Sequence, residues 1–278
     1  MGVRTPSYQA GFYAPERGGW AAYPQAWRGC VGAWNPGLGQ SGSVLREWSG
    51  RKNNGVLTNG PVWSTSTGRQ AISFDATNDY VDLQGTVLTT GAPFSICWWE
   101  YITANTNEFP SRICLRMVGT SDIFLVLRPK SHAGYANLSW GRSPSSNTIK
   151  STDVSTTAAS VGVWKHFAIA GSDPGTTVAS NYRVHEDGLQ KTAISGGAYG
   201  TVAVNRIAWD GSNDGTTAQL SDVRIYSRAL SANEISLLAR RPSIAYELAP
   251  RKFYSLPTPS FSAAWARRQS IIIGGGLH

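Results

Sequence analysis

The chain has 278 residues, 41% apolar and 11% aromatic. That is enough for a sizeable core, and too many large rings for a disordered chain. Only 15% are charged, against about 25% in ordinary domains, which excludes a long charged helical or coiled-coil protein. The net charge of +8 sits at the ends: residues 1–30 hold three Arg and one Glu, residues 240–278 six Lys/Arg and one Glu, and residues 31–239 16 basic and 15 acidic residues. A nucleic-acid reader carries its charge on the folded body, so no specific nucleic acid is expected as a partner.

Residues 1–30 are rich in Gly, Pro and aromatics (Tyr8, Phe12, Tyr13, Trp20, Tyr23, Trp27) without a period, and read as an extended arm. They contain no apolar stretch of signal-peptide type, and no run in the chain approaches 18 apolar residues. Synthesis in a cytoplasm and no membrane contact are therefore expected. Residues 31–239 read as the folded domain. Ala71–Phe74 alternates, 75–79 turns, and Tyr80–Leu83 extends again. Over 94–102, Phe94, Ile96, Trp98 and Ile102 share one face and Cys97, Trp99 and Tyr101 the other. Ile123–Leu127 is a continuous apolar run, as a central strand would be. Val163–Ile169 alternates, with Val163, Phe167 and Ile169 on one face. Tyr182–Glu186 runs into Asp187-Gly188, a strong hairpin turn. Val202–Trp209 and Leu220–Tyr226 complete the strands. Ser231-Ala-Asn-Glu234 is a capping box that predicts one short helix over about 231–239. Residues 240–278 carry prolines at 242, 250, 257 and 259 and read as a second extended arm.

The order of these motifs resembles the LamG-like (laminin-G, concanavalin-A-like) jelly roll. Val31-Gly-Ala-Trp34, the stretch 49–58, Ala71–Leu83, Phe94–Trp99, Val163–Ile169, Arg183–Gly188 and Leu220–Ile235 carry the resemblance, which leaves both arms outside. It implies an all-β, two-sheet antiparallel β-sandwich with one short helix and extended arms. Stand-alone proteins of this type with basic, Pro-rich, aromatic tails resemble structural proteins of tailed-bacteriophage particles. The resemblance therefore implies a virion component such as a capsid-surface decoration, homo-oligomeric and partnered with other virion proteins. The alternative is a carbohydrate-binding adhesin or tail-fibre module that meets a host-surface glycan.

The chemistry in the residues points away from an enzyme. Glycosidases need two facing carboxylates; Glu100 is alone on an aromatic strand, and Glu186 and Asp187 are adjacent in a turn. His166 and His185 lack a nucleophile elbow. Cys30, Cys97 and Cys114 form no C-x-x-C pair and read as buried thiols. No metal or cofactor is expected. Asp75, Asn78 and Asp79, and Asp210, Asn213 and Asp214, could offer oxygens to calcium, but match no EF-hand loop and read as turn-capping side chains. Trp99, Tyr101, Trp140, Trp164 and Trp209 are the candidate sugar-stacking rings. In the C-terminal arm, Arg240, Arg241, Tyr246, Arg251, Lys252, Phe253, Tyr254, Trp265, Arg267 and Arg268 combine Arg with aromatics in the manner of interface anchors, and are the candidate assembly contacts.

Overall fold

The computed structural model describes residues 23–75, 77–90, 92–103, 113–117, 123–128, 139–142, 150–153, 161–171, 182–194, 202–208 and 217–247. In chain order the strands are β1 (Cys30–Trp34), β2 (Gln40–Ser41), β3 (Val44–Leu45), β4 (Gly55–Thr58), β5 (Val62–Ser64), β6 (Ala71–Ser73), β7 (Tyr80–Asp82), β8 (Leu88–Thr90) and β9 (Phe94–Ile102). They continue with β10 (Ile113–Met117), β11 (Ile123–Arg128), β12 (Ser139–Arg142), β13 (Lys150–Asp153), β14 (Trp164–Gly171), β15 (Tyr182–Glu186), β16 (Leu189–Ile194), β17 (Val202–Ile207) and β18 (Ala218–Tyr226). One α-helix, α1 (Ala232–Arg240), follows.

Among the described residues all strand pairs are antiparallel, and they form two sheets. The first runs β16-β15-β14-β9-β18-β6-β5, with β1 also on β18; the second runs β13-β12-β11-β10-β17-β7-β4-β3-β2, with β8 also on β17. The two-sheet sandwich expected from the period-2 pattern is present. The turn at 75–79 does more than reverse the chain. It carries β6, in the first sheet, across to β7, in the second.

The two inner faces meet in a core of Trp34, Ile72, Val81, Phe94, Ile96, Trp98, Phe167, Ile169, Val204, Leu220 and Ile225, with their neighbours. Burying each such side chain contributes about 1.5–3 kcal/mol. The alternation expected for 94–102 holds: Phe94, Ile96 and Trp98 point into this core, and Cys97 belongs to a second cluster on the opposite face. Val163 departs from expectation. It precedes β14 and stays 50% exposed.

The second cluster shows that the folded unit is longer than 31–239. Its members include Trp27, Cys30, Cys97, Ala168, Ala170, Tyr226, Leu238, Ile244 and Ala245. Pro24–Trp27 and Ile244–Tyr246 are 3-10 turns. The Trp27 indole N–H donates to the Ala245 carbonyl, and its ring meets Tyr246 edge-on at 5.5 Å. Residues 23–30 and 240–247, read from sequence as parts of extended arms, are thus packed. Their prolines exclude a long helix but allow a single turn whose apolar residues are buried. Every described residue belongs to one unit ending at Leu248, so a boundary at 239 would cut through it.

Helix α1 begins where the capping box places it. The Ser231 hydroxyl accepts from the Glu234 amide, and Glu234 accepts from the Ser231 amide. The helix lies against the first sheet at the β15–β16 hairpin, where Asp187 and Gly188 both have positive φ, as a type I′ turn requires. A methyl group on Gly188 would come 2.8 Å from Ser236 Cα. No helix among the described residues is long and apolar enough to cross a membrane.

Candidate functional site

The outer face of the first sheet, turned away from the sandwich core, divides along its strands. Helix α1 and the two 3-10 turns cover one end. At the other, β9 and β14 place two aromatic pairs side by side. Tyr101 lies opposite Trp164, and Trp99 opposite His166, with ring centroids 5.6 and 5.4 Å apart. Trp99, Tyr101 and Trp164 are half-buried, while His166 is buried. Cross-strand register alone brings these rings together, since residues directly opposite on one face are neighbours.

The turn 65–70, between β5 and β6, lies beside them and is fastened to the sheet. The Thr67 hydroxyl donates to Gln219 Oε1 at 2.7 Å, and Gln219 Nε2 donates to the Ser66 hydroxyl at 3.0 Å. The Trp164 indole donates to the Thr67 carbonyl at 3.1 Å, and the Ser221 hydroxyl to the Gln70 carbonyl at 2.8 Å. Gly68, at φ +80°, lets the turn close. The next residue, Arg69, is laid over the rings, its guanidinium carbon 4.2 Å from the Trp99 centroid and 5.3 Å from that of Trp164.

Next to Arg69 opens a cleft of about 370 Å³, bordered by Asn35, Gln70, Ser221, Asp222, Ser243 and Tyr246 among others. Its floor is built by a bulge in β18. Ser221 pairs with Trp99 and Arg224 with Cys97, so two residues face one, and Asp222 takes φ +51°. A bulge re-aims the side chains around it. Here Arg224, two residues on, grips the Asp222 carboxylate through Nε at 2.9 Å and Nη2 at 2.6 Å. Nη2 also donates to the Pro242 carbonyl, and the Tyr246 hydroxyl donates to Asp222 at 2.9 Å. Burial by itself would lower the Arg224 pKa; the Asp222 carboxylate, with Tyr246 and Tyr226 adding, more than offsets it and holds the group well above its ordinary value.

Three buried groups nearby, His166, Cys30 and Cys97, are held neutral. Burial, aided by Arg224, pushes the His166 pKa down to about 3. Burial raises the Cys30 thiol to about 12 and the Cys97 thiol further; both are free and buried. The Cys114 side chain lies outside the described residues.

Of the five candidate sugar-stacking rings, Trp99, Tyr101 and Trp164 come together on this face. Trp140 is in β12, in the other sheet, and its side chain lies outside the described residues, as does all of Trp209. Among the candidate assembly residues, Tyr246 is used inside the fold through Trp27, Asp222 and Arg224. Arg240 and Arg241 are exposed, and Arg241 bonds Tyr23 and Glu247. Arg251, Lys252, Phe253, Tyr254, Trp265, Arg267 and Arg268 lie outside the described residues.

Glu100 is buried and accepts from the Trp98 indole N–H at 3.1 Å. Glu186 stands 3.4 Å from both Lys165 and Lys191. In the 75–79 turn, Asp75 accepts from the Thr77 amide and Asp79 from the Asp75 amide. The turn containing Asp210, Asn213 and Asp214 is outside the described residues. Among the described residues no group of three His, Cys, Asp or Glu side chains could hold a metal ion.

Arg69 and the Asp222–Arg224 pair were missed in the sequence. The pair left a trace, two charges spaced by two in a strand flanked by Leu220, Val223 and Ile225. Arg69 left none, being one arginine in a polar turn.

No curated protein sequence matches the chain. Among solved structures, the binding domain of Paraclostridial Mosquitocidal Protein 1 is 14% identical with a TM-score of 0.52, the match covering 77% of this chain and 52% of that one. Trypanosoma rangeli sialidase is 13% identical with a TM-score of 0.53, covering 78% and 33%. Domain 4 of AbnA, a GH43 extracellular arabinanase from Geobacillus stearothermophilus solved with arabinotriose, is 16% identical with a TM-score of 0.56, covering 76% and 98%. The chain thus spans about half of the first protein and a third of the second, and these likenesses bear on the fold alone. Residues 75–236, more than half of the chain, match a family model, and the protein belongs to the Concanavalin A-like lectin/glucanases superfamily.

Proposed function

We propose that this jelly roll is a non-catalytic carbohydrate-binding module whose sugar lies along the Tyr101–Trp164 pair and the adjoining cleft. One observation carries the reading: two half-buried rings stand side by side on the outer sheet face, and Arg69, which reaches Trp164, also borders a cleft edged by Asn35, Gln70, Ser221 and Ser243. A sugar has an apolar C–H face and a rim of hydroxyls, so it needs both surfaces at once. Arg69 lies closer to Trp99 than to Trp164, so Tyr101 and Trp164 are assigned as the stacking pair. The arabinanase domain solved with arabinotriose, and the toxin domain named for binding, support the same class. The interior position of Glu100 and the lysine contacts of Glu186 support a site that binds without hydrolysing.

The test is a glycan array with the intact protein, followed by titration of the best-bound oligosaccharide. Tyr101→Ala and Trp164→Ala are each expected to weaken binding about tenfold, equivalent to about 1.4 kcal/mol, with the circular dichroism spectrum unchanged. Unaltered affinity in both variants would move the site elsewhere.

A second reading makes the domain a structural component of a virus particle, a capsid-surface decoration anchored through the chain beyond its two described ends. One observation favours it. Arg241 donates to the Tyr23 hydroxyl at 3.1 Å and to Glu247 at 2.7 Å, so the chain enters and leaves the domain at one place. A single attachment point there would leave the aromatic face free.

A further inference from the structure

We infer that the sugar bound at this face carries a carboxylate, which Arg69 reads with the edge of its guanidinium; this rests on the carbohydrate-binding reading and adds the chemical class.

Arg69 is built as a recognition group. Its guanidinium carbon sits 4.2 Å over the Trp99 ring and 5.3 Å from that of Trp164, so its position is set before any ligand arrives. Four hydrogen bonds tie the turn that carries it to Gln219, Ser221 and Trp164. A held guanidinium loses less entropy on binding than a free one. A cation held over a ring keeps N–H donors for other partners, and among the described residues no carboxylate lies within ion-pair distance of it.

The surrounding charge favours an anion. The carboxylate in the cleft, Asp222, is already engaged by Arg224 Nε and Nη2 and by the Tyr246 hydroxyl. Counting Asp222, Arg224 and Arg69 together leaves one positive charge, and it belongs to Arg69. Partial burial pulls the Arg69 pKa below its ordinary value, with Asp222 opposing; an incoming carboxylate restores the interactions that burial removed.

Geometry suits a carboxylate. A planar guanidinium edge presents two parallel N–H donors, which match two coplanar oxygens. The hydroxyls of the same sugar then meet Asn35, Gln70 and Ser243 along the cleft. The ligand class is therefore a hexuronic- or ulosonic-acid residue of an acidic polysaccharide.

The experiment uses the full chain on an array of neutral, carboxylated and sulfated glycans, then titrates the best carboxylated oligosaccharide against its methyl ester. Binding is expected on carboxylated glycans, with at least tenfold loss for the ester. Arg69→Gln should lose at least tenfold and Arg69→Lys retain part of the binding. Ester and acid bound equally by the wild-type protein overturn the inference without reference to any variant. Binding of neutral glycans alone also overturns it and leaves the carbohydrate-binding reading standing. Sulfated glycans bound as tightly as carboxylated ones overturn the choice of carboxylate. No glycan bound at all overturns both readings.

Discussion

The two ends of one sheet face show how the same strands serve stability and recognition. Strands β9, β14 and β18 run through both. At the covered end they present Cys97, Ala168, Ala170 and Tyr226, and Trp27, Leu238, Ile244 and Ala245 pack onto them. At the other end they present Trp99, Tyr101 and Trp164, with no helix above among the described residues. Small residues let a backbone element approach closely; large rings hold it off and keep their own faces partly wet. Between the two ends lies the Asp222–Arg224 pair, which closes one region and floors the other.

The comparison breaks most severely at that pair. Asp222→Ala strands a buried guanidinium and the Tyr246 hydroxyl, and is expected to lower the unfolding free energy by about 3–5 kcal/mol, measured by urea titration. A loss under about 1 kcal/mol would mean that water reaches Arg224 and that the covered end is not sealed.

His166 tests how dry the boundary is. Its pKa is lowered to about 3, first by burial, then by Arg224, with His185 and Arg69 adding and Asp187 opposing. The unfolded chain takes up a proton near 6.5 that the fold refuses. Stability is thus fully present above pH 6.5 and is lost as the pH falls towards 3. Between pH 7 and pH 5 the loss from this group is about 2 kcal/mol. His185, whose pKa is also lowered by burial, acts in the same direction. His166→Asn should flatten most of the slope in urea midpoints over that range; an equally steep slope in the variant would assign it elsewhere.

Ser231→Ala should have the smallest effect. It removes one half of the capping box and costs about 1 kcal/mol. Amide exchange should quicken in α1 while glycan affinity stays as in the wild type. A loss of affinity would show that the two ends are coupled through the sheet.

What the sequence determined by itself is local. Alternation over 94–102 assigns each side chain to a face, because the strand period is two. Asp187-Gly188 specifies its turn because both positions need positive φ, and Ser231–Glu234 starts the helix because the cap is complete within four residues. Tertiary structure alone decided which part of a face is covered. Trp27 and Ala245 are 218 residues apart, and nothing in the local pattern around either shows that they meet. The arm boundaries at 30 and 240 missed this for the same reason: a short proline-containing segment looks alike whether solvated or docked. Arg69 became legible only once the register of β9 and β14 had brought Trp99 and Trp164 beneath it, since a stacking contact depends on distances in space and leaves no spacing in the chain.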